Sequence, residues 1–219
     1  MEGKMKHVVV GVVVLAMGLV LLGGCASTGP KYTENISGVL TKQSQTVAAG
    51  KKQIDDMLAS LNGRVTAQSD LKPAFAKYSD QLKGLINMRE NVRKKAQELE
   101  VKKEEYLKEW QAQMANIQDP GIKAAAEARK QTVAEDYATL GHAIETAKGA
   151  VDPFIQYCKD IQQYLAFDLT SGGIEAIKPI GEKAKQEGTT VSGALDEMIK
   201  EFDKLSQKIG PSTGTAPKK

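Results

Sequence analysis

The chain has 219 residues, 41% hydrophobic, 26% charged and 5% aromatic, a composition that can bury a core and excludes intrinsic disorder. Its 30 Lys and Arg against 27 Asp and Glu leave a net charge of +3, too nearly balanced for a dedicated nucleic-acid binder. Two Cys and two His exclude a disulfide scaffold and a structural metal site built from His or Cys, and no cofactor is expected.

The chain opens with a targeting signal. Lys4 and Lys6 precede an unbroken apolar run of fifteen residues, Val8 to Leu22. A basic start, a short apolar run and a small-residue cleavage site make a secretory signal peptide, and the run is shorter than the roughly 20 residues of a spanning helix. Leu22-Gly23-Gly24-Cys25 comes next. This stretch resembles the lipobox of bacterial lipoproteins, which implies that residues 1–24 are a lipoprotein signal peptide. The resemblance further implies diacylglycerol on the Cys25 thiol, cleavage before Cys25 and, in many bacteria, another acyl chain such as palmitate on the freed amine. Cys25 is therefore the expected lipidation site and the membrane an expected partner, because each buried CH₂ contributes about 0.8 kcal/mol. Ala26 rather than Asp follows Cys25. In a host with two membranes, the enterobacterial-type sorting rule then implies the periplasmic face of the outer membrane.

Residues 25–35 carry Gly, Pro, Ser and Thr without periodicity and read as a lipidated tether. The first helix is expected from Ile36, with Leu40, Gln43, Val47, Gly50, Ile54, Met57, Leu61 and Val65 on one stripe and Asn62-Gly63 as its stop. The second runs from Leu71, capped by Ser69 or Asp70, through Tyr78, Leu82, Leu85, Arg89, Val92, Ala96, Leu99, Lys103, Tyr106 and Trp110 to Ile117. Asp119-Pro120 is a cap followed by a first-turn proline, and it opens the third helix. The third stripe reads Val133, Tyr137, Leu140, Ile144, Ala147, Val151, Phe154, Cys158, Ile161 and Leu165. Its phase survives Pro153, which predicts a kink rather than a break. A turn at Thr170-Ser171-Gly172-Gly173 leads to a last helix stepping from Ile174 to Ile209, with Pro179, Gly181 and Gly188 as weak points. Residues 210–219 read as a disordered tail.

Four helices in heptad phase with short turns predict an all-α, elongated antiparallel four-helix bundle, a coiled-coil rod formed by residues 36–209 as one domain. The two central helices, about 70 Å each, are longer than the outer two, so they should project as a hairpin ending at Asp119-Pro120. Apolar residues beyond Ile117 are candidates for a partner-binding patch.

Catalytic chemistry finds little support. His7 leaves with the signal peptide, and His142 falls two positions from both Leu140 and Ile144, on the outward face. A di-iron carboxylate bundle needs Glu-x-x-His on two helices, and only the reversed His142-x-x-Glu145 occurs. Cys158 lies on the apolar stripe and reads as a buried structural thiol. No phosphate loop, nucleophile elbow, zinc helix or dinucleotide turn is present, so an enzyme is not expected. Between Arg89 and Glu109, three Glu-to-Lys i,i+4 pairs (Glu90–Lys94, Glu98–Lys102, Glu104–Lys108) suggest a solvated helical face. Arg89 and Lys103 interrupt the stripe there, either fixing register or receiving a partner helix. Trp110 and Tyr106 read as core or hairpin packing.

The residues EYLKEWQAQMANI around Trp110, AEDYATL with Tyr137, VDPF at Val151–Phe154 and the turn YLAFDLTSGGIEAI resemble a bacterial family of helical envelope proteins known only as a domain of unknown function. The resemblance extends from about Tyr106 to Phe202, and weakly before that. It departs at Ala166–Ser171, where the family has a basic, Asn-rich turn. What it implies is a long helical bundle without a known reaction, and it transfers no functional residue. The expected function is a lipid-anchored, non-catalytic structural or adaptor rod with a protein partner in the envelope. The alternative is a carrier or chaperone for an apolar ligand, motivated by interruptions at Gly141, Gly149, Pro153, Pro179 and Gly188.

Overall fold

The computed structural model describes residues 28–63 and 71–210. The signal segment, Cys25, Val65, the cap candidates Ser69 and Asp70, and residues 211–219 lie outside the described residues. Four helices follow one another: α1 (Thr28–Gly63), α2 (Leu71–Ala115), α3 (Pro120–Phe167) and α4 (Ser171–Ile209).

Local chemistry explains most of the boundaries. At the start of α3 the Asp119 carboxylate accepts the Ile122 N–H at 2.8 Å, with Pro120 in the first turn. At the start of α4 the Thr170 hydroxyl accepts the Gly173 N–H at 3.1 Å. Helix α1 ends at Gly63, as the Asn62-Gly63 pair predicts. Helix α2 stops at Ala115, and i→i−3 bonds from Asn116 to Gln113 and from Ile117 to Met114 tighten its exit.

Three boundaries differ from expectation: α2 ends at Ala115 rather than Ile117, α4 begins at Ser171, inside the expected turn, and α1 begins early. Helix α1 begins at Thr28 rather than Ile36, so the expected tether is helical from Thr28 onward. Pro30 falls in the first turn, where its missing N–H has no intrahelical acceptor to lose, and nothing between Lys31 and Asn35 breaks a helix.

Both internal prolines are carried by unbroken helices. Pro153 and Pro179 are exposed, and so is Gly149, whose carbonyl Pro153 leaves without its helical donor. Gly188 does not divide α4. A Cβ there would stand 2.3 Å from Leu58 Cδ1, so the glycine is where α1 and α4 approach closely.

Among the described residues the helices pack in a ring, α1 against α2, α2 against α3, α3 against α4, and α4 closing onto α1. Cross-helix bonds establish antiparallel order throughout. Lys51 meets Asp196 at 2.5 Å between α1 and α4, and Gln53 donates to the Gln81 carbonyl at 3.4 Å between α1 and α2. Tyr78 donates to the Cys158 carbonyl at 2.8 Å between α2 and α3, and Tyr157 to the Ile180 carbonyl at 3.1 Å between α3 and α4. The protein is an all-α antiparallel four-helix bundle, about 54 to 72 Å along its helices. The predicted stripes of α1, within its described residues, and of α4 are fully buried, as is that of α3 apart from half-buried Ile144.

Helix α4 stops beside Arg129, whose guanidinium donates to the Lys208 carbonyl at 2.6 Å. From there α2 and α3 continue past the end of α4 for about 14 Å to the Asp119-Pro120 turn. In this projecting hairpin Met114 is buried, whereas residues 120–125 are all exposed and Ile122 is 60% exposed.

Candidate functional site

The α2–α3 pair is the most sparsely packed of the four helix pairs. Its seam carries small residues where the bundle would otherwise interdigitate: Ala96 on α2, and Gly141 and Ala147 on α3. A Cβ at Gly141 would meet nothing within 4 Å. The result is a cavity of about 550 Å³ between α2 and α3, within the usual range for small-molecule sites.

All four helices line it. Val47 and Ile54 of α1 and Leu195 and Met198 of α4 form its floor, with Leu85, Val92, Ile144 and Val151 along its walls. The mouth is charged, with Arg89, Arg93 and Glu100 on α2 facing Glu145, Lys148 and Asp152 on α3. Arg89 spans the seam, one terminal nitrogen 3.0 Å from Asp152 and the other 3.3 Å from Glu90. Its Nε is buried and meets no protein acceptor. Lys148 pairs with Glu145 at 3.0 Å, and Arg93 with Glu90 at 3.2 Å.

The interrupting residues of the α2 stripe thus differ in role. Arg89 crosses to α3 at the cavity mouth, whereas Lys103 pairs with Glu100 on its own helix. The stretch between Arg89 and Glu109 also carries ion pairs at i,i+3 spacing. Glu90 and Glu98 pair with Arg93 and Lys95 at i,i+3, and such exposed pairs contribute little. Of the five Gly and Pro interruptions, Gly141 lines the cavity. Gly188 does the opposite and brings two helices together.

The remaining candidates are distributed over the bundle. His142 is exposed beside the cavity-lining Gly141. Cys158 is fully buried, and burial pushes its thiol up to about 12. The same burial raises the Tyr78 phenol well above its ordinary range. Tyr106 and Trp110 are half-buried and stack edge to face with ring centres 5.5 Å apart. Among the described residues no group of three or more His, Cys, Asp or Glu is arranged to hold a metal, and no helix is long and apolar enough to cross a membrane.

Sequence reasoning missed the clamp that ends α4. Asp136 is buried beside the stripe residue Tyr137, and both its oxygens accept from Lys208 at 2.7 Å. Glu201, also buried, pairs with Lys204 at 3.0 Å. The four-residue spacing of Lys204 and Lys208 was the available signal, since it puts both ammonium groups on one helical face.

No curated protein and no solved structure matches the chain. A family model, described as "Protein of unknown function (DUF2959)", matches residues 34–209, well beyond the stretch from Tyr106 to Phe202 that carries the sequence resemblance. The chain belongs to this DUF2959 family.

Proposed function

We propose that the chain is a lipid-anchored, non-catalytic rod of the bacterial envelope, held by acyl groups on Cys25 and presenting its far end to a protein partner. In a host with two membranes it stands on the periplasmic face of the outer membrane. The observation that carries this reading is the start of α1 at Thr28. Cys25 precedes it by three residues, a reach of at most about 11 Å. Ser37 lies level with Ser206 near the end of α4, their hydroxyls 2.9 Å apart, so Thr28 stands about 14 Å beyond that level. This is close to the overhang of the α2–α3 hairpin.

The anchor and the hairpin tip therefore share one end. On this reading the tip, with Ile122 and Lys123 exposed, rests against the lipid surface. The partner is met at the opposite end, about 54 Å away along α1. There Phe167 is 91% exposed, with Tyr164 one turn earlier also exposed. Exposed aromatics are typical anchors of protein interfaces. This moves the partner surface from the tip, where the sequence suggested it, to the α3–α4 turn. A second reading, as a carrier of an apolar ligand, draws support from the α2–α3 cavity.

Anchoring is tested by Cys25→Ser in the native host. The variant should lose labelling by an alkyne analogue of palmitate and accumulate uncleaved or soluble. Continued processing before residue 25, with labelling intact, would refute the lipoprotein reading.

A further inference from the structure

We propose that the α2–α3 cavity binds a single-chain amphiphile, its acyl tail along the apolar floor and its anionic oxygen headgroup against Arg89. This goes beyond the anchored-rod reading and holds whether or not the far end binds a partner. The shape of the site selects the tail. Its lining runs from Leu85 to Glu100 on α2 and from Gly141 to Asp152 on α3, about 17 to 22 Å along the helix axes. A slot of that length holding about 550 Å³ is long and narrow, which suits a linear chain better than a ring system.

The mouth selects the head. Every guanidinium nitrogen is a donor and none an acceptor. The terminal nitrogens of Arg89 hold Asp152 and Glu90, while the buried Nε meets no protein acceptor. A ligand head that satisfies it must bring an acceptor oxygen. Lys148 and Arg93 stand at the same mouth but are held by Glu145 and Glu90, so recognition of the head rests on the Arg89 Nε. A free carboxylate and a phosphate share this chemistry.

The test uses the full lipidated chain in nanodiscs and palmitate carrying a mid-chain diazirine, with adducts mapped by mass spectrometry after illumination. Adducts should concentrate on peptides covering 85–100 and 141–152 and fall when unlabelled palmitate is added in excess. Gly141→Phe adds a ring at a cavity-lining position with nothing within 4 Å of its Cβ, and should lower labelling about tenfold. Ala96→Leu, from the opposite wall, should lower it in the same direction. Neither variant should melt at a lower temperature than the parent, which separates blocked binding from misfolding. The same photoreactive tail on lysophosphatidylcholine provides the phosphate arm. Stronger cavity labelling by one probe assigns that head, and comparable labelling by both assigns the shared chemistry. Labelling by either probe that is unchanged in a folded Gly141→Phe, or that spreads evenly over the outward helix faces, would overturn the proposal.

Discussion

At the scale of single residues, two adjacent glycines at the start of α4 separate backbone need from mere proximity. A Cβ on Gly173 would lie 2.3 Å from the Asp168 carbonyl oxygen, a backbone atom that cannot swing away. A Cβ on Gly172 would meet only the Thr170 hydroxyl, at 3.7 Å. Gly173→Ala should therefore cost about 1–3 kcal/mol. Gly172→Ala should be neutral or stabilise by up to about 1 kcal/mol. Urea denaturation of both variants checks the pair. Cys158 gives a prediction in pH. Its folded thiol titrates at about 12 against an ordinary 9.0, so the neutral form is favoured by the fold. That contribution is complete below pH 9 and is lost as pH rises through about 12, and Tyr78 acts in the same sense. Stability should fall between about pH 9 and about pH 12, and less steeply in Cys158→Ala, as measured by denaturation at several alkaline pH values.

At the scale of the helix, phase is the decisive quantity. Leu140 is 1% exposed while His142, two positions on, is exposed. Leu140→Ala should cost about 2–5 kcal/mol, and His142→Ala should stay within about 0.5 kcal/mol. Thermal melts that moved equally would contradict the burial pattern. The phase of α3 and α4 was legible in the sequence because a step of three or four residues returns an apolar side chain to one face. The cap at Asp119 was legible because a short oxygen-bearing side chain before a helix has an obvious donor to satisfy, whereas the sequence marked Thr170 only as part of a turn. The start of α1 was not. Residues 28–35 lack an apolar period, and their helicity reflects propagation from the packed turns after Ile36. The cavity was only half visible. Gly141 and Arg89 could be marked as irregularities, but they lie 52 residues apart on different helices. Their convergence depends on how α2 aligns with α3, which no single-helix pattern encodes. The buried Asp136 was hidden for the same reason, since its lysines belong to another element.

At the scale of the whole molecule, unequal helix lengths give the rod two different ends. One end joins the start of α1, the close of α4 and the projecting hairpin, and Cys25 lies three residues from it along the chain. The other carries the α3–α4 turn with exposed Phe167. If acylation holds the first end at the lipid surface, the second is the one free to meet a partner, and a partner that binds an anchored rod there is kept about 50 Å from the membrane. Site-specific photocrosslinking in living cells tests this most directly, with benzoylphenylalanine incorporated at Phe167 in one strain and at Ile122 in another, at equal expression. Crosslinks to a discrete protein from position 167, with none to protein from position 122, are the predicted result. Protein crosslinks from position 122 with none from position 167 would contradict it and return the partner surface to the hairpin tip.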